Sequence, residues 1–207
     1  MTNSDSALFP IMLKLSQRRC VVVGAGKVAA AKVKGLLAGG AQVIVVSPAA
    51  QGPIRTWAAK RELTWRRKTF SPRDLTGAFL AIAATDSNQI NELVFRSCRA
   101  RQILCNVVDD PDRCDFFYPA VVRRGPLQIA ISTSGRSPAL AARLRKELAG
   151  QFGPDWSRYV KRLGKKRAKI LRTPPSAERK TLLKQIAIPP GFSHAKRTNK
   201  AGKSRIS

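Results

Sequence analysis

The chain has 207 residues, 43% of them hydrophobic, enough to bury a real core in one domain with an appendage or in two small domains. No apolar run approaches the ~20 residues of a membrane span, and residues 1–15 lack the pattern of a cleaved signal, so no membrane and a cytoplasmic location are expected. The net charge is +27, and residues 151–207 carry 16 of the 39 Lys and Arg but 2 of the 12 Asp and Glu, a local excess of +14.

That charge suits two partners. Nucleic acid would be held through its phosphates, and a small polyanionic substrate would be drawn in by the same field. Charge does not separate them. The four cysteines, Cys20, Cys98, Cys105 and Cys114, form no C-x-x-C pair and have no histidine at ligand spacing, which argues against a structural zinc and for small apolar residues in a reducing compartment. No metal site is expected.

In chain order, Cys20–Val23 is a short β-branched run leading straight into Gly24-Ala25-Gly26, with a helical pattern over Lys27–Ala38. This is the layout of a dinucleotide-binding strand, turn and helix. Gly24 makes the tight turn, Gly26 admits a pyrophosphate, and Ala29 is the third small residue, packing helix on strand. Phosphates would lie on the free N–H groups at the helix start, where Lys27 and Val28 stand. Val28, Ala31, Gly35 and Ala38 fall at helical spacing, and Gly39-Gly40 ends the helix.

A second strand over Gln42–Val46 closes at Ser47-Pro48. Pro53–Arg61 reads as a helix, Leu63–Lys68 and Phe79–Ala84 as strands. Ser87–Arg101 reads as a helix with Ile90, Leu93, Val94 and Cys98 on one face, capped by Asp86 or Ser87, and Leu104–Val108 as a further strand. This β-α-β order predicts a mostly parallel sheet with helices on both faces.

The pattern changes after Asp109-Asp110-Pro111. Ala120–Arg123 and Leu127–Ser132 read as a strand pair around Gly125-Pro126, followed by a helix from Pro138 to about Leu148 with Ser137 as its cap. A hairpin and one helix make too small a core to stand alone, so a homodimer is expected. Beyond Gly150–Pro154, Tyr159–Arg172 and Glu178–Ile186 read as basic helices, and Ser193–Ser207 as a disordered tail containing His194. The expected divisions are residues 1–112 for the nucleotide-binding domain, 113–150 for dimerisation and substrate, 151–192 for a basic helical region and 193–207 for the tail.

Further motifs stand in fixed order: Phe9-Pro10, A-I-A-A-T-D at Ala81–Asp86, C-N-V-V-D at Cys105–Asp109, F-F-Y-P-A at Phe116–Ala120, P-L-Q-I-A-I-S-T-S-G at Pro126–Gly135 and S-P-A-L-A at Ser137–Ala141. Across residues 8–150 the chain resembles the precorrin-2 dehydrogenase module of sirohaem synthases, in a short form without a methyltransferase domain. The resemblance implies an α/β, Rossmann-like sheet, a small α+β dimerisation segment and NAD-dependent oxidation of precorrin-2, a tetrapyrrole, to sirohydrochlorin. Some members also insert Fe²⁺.

It further implies that Asp109 is the catalytic residue, for proton transfer or substrate orientation, where spacing alone would make it a turn residue. The cofactor-binding set it implies is Gly24, Gly26, Lys27, Val28, Pro48, Ala49 and Thr85. Val46–Ala49 offers no carboxylate for a ribose hydroxyl and Arg55 is near, so the residues leave NAD and NADP open; NAD follows from the resemblance. Ser132, Thr133, Ser134 and Arg136 are the candidate substrate-binding residues, at a helix start suited to a carboxylate. Helix capping by Ser134 or Ser137 is the alternative role. Thr133 matches a position phosphorylated in some members. A dinucleotide sensor using the basic tail on nucleic acid is the rival from a different class. The chain shows no helix-turn-helix and no aromatic interleaving in the tail, which argues against it.

Overall fold

The computed structural model describes residues 8–187 and divides the chain into two compact units, Met1–Tyr118 and Pro119–Ser207. The expected tail at 193–207, with His194, lies outside the described residues.

In the first unit β1 (Arg19–Val23), α1 (Lys27–Ala38), β2 (Gln42–Val46), α2 (Pro53–Ala59), β3 (Thr64–Arg66), β4 (Leu80–Ala83), α3 (Asn88–Arg99) and β5 (Leu104–Val107) follow one another. The five strands are parallel, in the order β3-β2-β1-β4-β5. Strand residues alternate between two cores. Cys20, Val22, Val43, Val45, Leu80 and Ile82 pack with α1 and α2. Val21, Val23, Ile44, Val46, Ala81 and Ala83 pack with α3 and the 3₁₀ turn at Pro72–Leu75. Both faces are covered, which is why these strands read as continuous apolar runs.

Helix ends follow local chemistry. The Ser87 hydroxyl accepts from Ile90 N at 3.3 Å, so Ser87, not Asp86, caps α3. At the end of α1, Gly40 adopts φ +74°, with Gly40 N donating to Leu37 O and Ala41 N to Leu36 O, a Schellman ending.

The buried faces differ from the sequence pattern. In α1 the buried residues are Ala29, Val33 and Leu36, a different face from the Val28, Ala31, Gly35, Ala38 row; Val28 is 48% exposed. The rotation follows from Ala29, whose methyl must sit on the sheet. In α3 Val94 and Cys98 are buried as expected, but Leu93 is 39% exposed and Asn91 is buried. Asn91 is drawn in because its amide bonds the turn after β4.

The first unit runs through Tyr118, six residues beyond the boundary expected at 112. The loop after β5 folds back onto that strand: Cys105 N donates to Asp115 Oδ2 at 2.9 Å, and Asn106 Nδ2 to Phe116 O at 2.9 Å. In the second unit β6 (Ala120–Arg124) and β7 (Leu127–Ile131) pair antiparallel, and α4 (Pro138–Gln151), α5 (Asp155–Ile170) and α6 (Ala177–Ile186) follow. Both α4 and α5 pack on the hairpin, so the basic helices are not a region apart from it. Arg124 ties the hairpin to the end of α4, donating to the carbonyls of Ala149 at 2.9 Å and Phe152 at 2.6 Å. Among the described residues of this unit only Val122 and Ala141 are buried apolar side chains.

Candidate cofactor crevice and the turn after β5

Register sets the carboxyl ends of four strands in a row. Val23 pairs with Val46 on one side and Ala83 on the other, and Ala83 pairs with Val107. The chain order reverses between β1 and β4, where ligands enter open parallel sheets.

The two glycines at this edge do different things. Gly24 has φ +106°, and a Cβ there would lie 2.1 Å from the Ala84 carbonyl oxygen, so a side chain is forbidden by the protein itself. Gly24 N donates to Val46 O at 3.0 Å, tying the turn to β2. Gly26 has φ −78° and nothing within 4 Å of the position a Cβ would take. Its own backbone does not require glycine; the open space in front of the helix does. Gly26 is the N-cap of α1 with no capping side chain and no acidic residue in the first turn, whereas α3, α4 and α6 carry serine caps. The first helical N–H groups, of Lys27 and Val28, are thus left for an anion. These residues fit the pyrophosphate of a nicotinamide dinucleotide.

The flanking turns are locked. The Thr85 hydroxyl bonds Asn91 Oδ1 at 2.7 Å, and Asn91 Nδ2 donates back to Thr85 O at 2.9 Å. Sequence reasoning missed Asn91, because a polar side chain in a helix gives no sign of burial by itself. After β2, Pro48 and Ala49 are exposed, with the Ser47 hydroxyl donating to Ala49 O at 2.8 Å. Trp65 is partly buried against the sheet, its Nε1 donating to Ser47 O at 3.0 Å. Arg55 lines a cleft between α2 and β3 together with Arg61 and Arg67.

Asp109 follows β5 in a left-handed turn, φ +61°, a conformation aspartate tolerates better than most residues. Val108 N still bonds Ala83 O at 2.9 Å, so the turn starts from a fixed strand end. Two strand spacings of about 4.8 Å put it roughly 10 Å from β1. Asp109 is exposed and its carboxylate has no hydrogen bond or ion pair among the described residues. Asp110 differs: its carboxylate pairs with Arg113 at 3.3 Å. Arg113 also reaches Glu92 on α3 at 3.0 Å, and the Cys114 thiol donates to the carbonyls of Val107 and Asp110, each at 3.2 Å. One carboxylate of the pair builds the turn and the other is left available.

A second group faces this turn. Lys32 of α1 is half-buried, its Nζ 3.8 Å from the centre of the Tyr118 ring. Burial lowers its pKa, while the nearby Cys114 and Asp109 work in the opposite direction. Sequence reasoning missed Lys32, since one lysine among the many on basic helices carries no mark.

Ser132, Thr133, Ser134 and Arg136 lie in the second unit, in the turn between β7 and α4. The Ser132 hydroxyl accepts from Ser134 N and the Thr133 hydroxyl from Ser137 N, both at 3.1 Å. Of the two capping candidates it is Ser137 that caps α4, accepting from Leu140 N at 3.2 Å. Ser134 instead takes φ +51° and Gly135 φ +78°.

Residues 11–120 match the family described as "Putative NAD(P)-binding", and residues 124–151 the family described as "Sirohaem biosynthesis protein central". The sirohaem synthase of Photobacterium profundum is 38% identical over 164 residues, 79% of this chain and 35% of that protein. That of Actinobacillus pleuropneumoniae is 39% identical over 146 residues, 70% of this chain and 30% of that protein. The chain thus spans about a third of the length of these relatives. The solved structure of SirC, a precorrin-2 dehydrogenase, superposes with a TM-score of 0.74 at 31% identity, covering 87% of this chain and 90% of SirC. The NAD(P)-binding match over 11–120, the sirohaem-biosynthesis match over 124–151 and a fold shared with nearly the whole of SirC leave one assignment: the chain belongs to the precorrin-2 dehydrogenase family of sirohaem biosynthesis.

Proposed function

We propose that this chain is an NAD-dependent precorrin-2 dehydrogenase that yields sirohydrochlorin and works as a cytoplasmic homodimer. The observation that carries the reading is Asp109: an exposed, unpaired carboxylate held on a left-handed turn at the sheet edge where the uncapped α1 also opens.

The N–H groups of Lys27 and Val28 hold the pyrophosphate, with Gly26 leaving room for it. Pro48 and Ala49 border the adenosine half, and Thr85, fixed by Asn91, borders the crevice between β1 and β4. When bound, the nicotinamide supplies the acceptor for hydride from a ring carbon of the tetrapyrrole. Asp109 accepts a proton released as conjugation extends; its lone pairs are free for this because Asp110 carries the structural pairing. Ser132, Thr133, Ser134 and Arg136 contact substrate carboxylates. NAD is taken over NADP from the family resemblance, since Val46–Ala49 and the nearby Arg55 leave the two open. The four cysteines are free thiols, three of them buried, in keeping with a reducing compartment. The basic α5 and α6 suit attraction of a polycarboxylate.

The test is incubation of purified protein with precorrin-2 and NAD⁺ or NADP⁺, followed by absorption spectra with and without Fe²⁺. Sirohydrochlorin forming faster with NAD⁺ is the expected result. Sirohaem in the Fe²⁺ arm above the protein-free rate adds chelation to the activity. No oxidation with either nucleotide refutes the assignment.

A further inference from the structure

Lysine is rarely buried without an ionic partner, because removing an ammonium from water costs several kcal/mol unless a charge or an aromatic face compensates. Lys32 is half-buried and makes no ion pair among the described residues. Its compensation is the Tyr118 face at 3.8 Å. That face is held in place: Phe116 packs edge-on to Tyr118 at 5.8 Å, and Asn106 anchors the Phe116 carbonyl at 2.9 Å. The cation is therefore presented on a fixed platform, and it senses the charge of Asp109 in the turn after β5.

Lys32 stands six residues after Gly26, about 9 Å along the helix axis, well past the turn that takes a pyrophosphate. An anion meeting this ammonium beside Asp109 belongs to the molecule being oxidised and not to the phosphates of the cofactor. We propose that Lys32 is a substrate-binding residue that anchors a side-chain carboxylate of the tetrapyrrole and so presents the macrocycle to Asp109. This rests on the dehydrogenase reading above and adds to it a contact in the first unit, separate from Ser132–Arg136 in the second. Tyr118 holds the cation over its ring and is a positioning residue.

The experiment compares wild type, Lys32→Met and Lys32→Arg in steady-state oxidation of precorrin-2 at saturating NAD⁺. NAD⁺ titration and thermal midpoints are measured for each. Met retains the apolar stem that packs on Tyr118, so folding is expected to survive. The Met variant should raise KM for precorrin-2 at least tenfold, about 1.4 kcal/mol, with kcat and NAD⁺ affinity within about threefold. Arg should restore KM to within threefold. In wild type, raising the salt concentration should raise KM, and the Met variant should lose most of that dependence. The salt series on wild type alone tests the anchor should the Met variant prove unstable. An unchanged KM, a loss confined to kcat, a parallel loss of NAD⁺ affinity, or a salt-independent wild-type KM each overturns the proposal. Failure of wild type to oxidise precorrin-2 refutes the dehydrogenase reading instead, before any variant is compared.

Discussion

Replacing Gly24 and Gly26 separately should split folding from cofactor binding, although the two glycines are only two residues apart. At Gly24 a methyl group would lie 2.1 Å from the Ala84 carbonyl oxygen and 2.7 Å from its carbon, on a backbone with φ +106°. Strain at such a φ costs about 1–3 kcal/mol, and forcing atoms into a packed site a further 1–3 kcal/mol or so. The sum, roughly 2–6 kcal/mol, is a large part of the 5–15 kcal/mol or so that holds a typical domain. Gly24→Ala should therefore melt far below wild type. At Gly26 a side chain meets nothing within 4 Å and φ is ordinary, so Gly26→Leu loses only a favourable N-cap residue, about 0.5–1 kcal/mol. Its isobutyl group would instead fill the space before the helix. Losing two charge-assisted N–H bonds to phosphate at roughly 1.5 kcal/mol or more each weakens NAD⁺ binding by about 3 kcal/mol, near 150-fold. Calorimetric titration with NAD⁺ and thermal melts of both variants measure this. Near-normal affinity in Gly26→Leu, or wild-type stability in Gly24→Ala, would refute the reasoning.

Asp109→Ala should keep its fold and NAD⁺ affinity but lose dehydrogenase turnover by at least ~100-fold. Asp110→Ala, which gives up only a part-exposed pair with Arg113, should cost under about 1 kcal/mol of stability and little activity; comparable losses in both would return Asp109 to a structural role. With only Val122 and Ala141 buried among the described apolar side chains of the second unit, a dimer should persist at micromolar concentration, and a monomer by light scattering would count against it. Asp74 is 3% exposed and accepts from Arg66, Lys68 and Ser71 N at 2.8–2.9 Å. Burial alone would raise its pKa, but the bonds from Lys68, Ser71 and Arg66 together hold it below the usual carboxylate value. Asp74→Asn should accordingly destabilise by about 2 kcal/mol near neutral pH. A lowered native pKa gives stability that is present above the unfolded pKa and fades as pH falls through the native one, so the gap should close in acid; a gap independent of pH would show that the charge is not what stabilises.

Much of the first unit was legible in its residues because its signals are local. Apolar β-branched runs, the glycines after the first, and serines before helices act within a few residues, and the succession of strands and helices along the chain and the cap Ser137 follow from them. Asp86 and Ser87 remain alternatives in the sequence, and only the bond from Ile90 N to the Ser87 hydroxyl decides between them. The motif order from Phe9 to Ala141 carried the resemblance, and Asp109 with it. Other features depend on residues brought together from far along the chain. Asn91 is buried because it bonds the turn at Thr85, and α1 is rotated because Ala29 must lie on the sheet, neither of which a hydrophobic period records. Residues 113–118 belong with the sheet because Asp115 and Phe116 bond back to β5, and a break in strand pattern gives no sign of such a return. Gly24 and Gly26 look alike as letters; only the neighbouring strand's Ala84 carbonyl shows that one is required by the protein and the other leaves space for a ligand. Lys32 has no mark in its neighbourhood either. Its ammonium meets Tyr118, 86 positions later in the chain, because the parallel sheet brings the loop after β5 back beside the first helix.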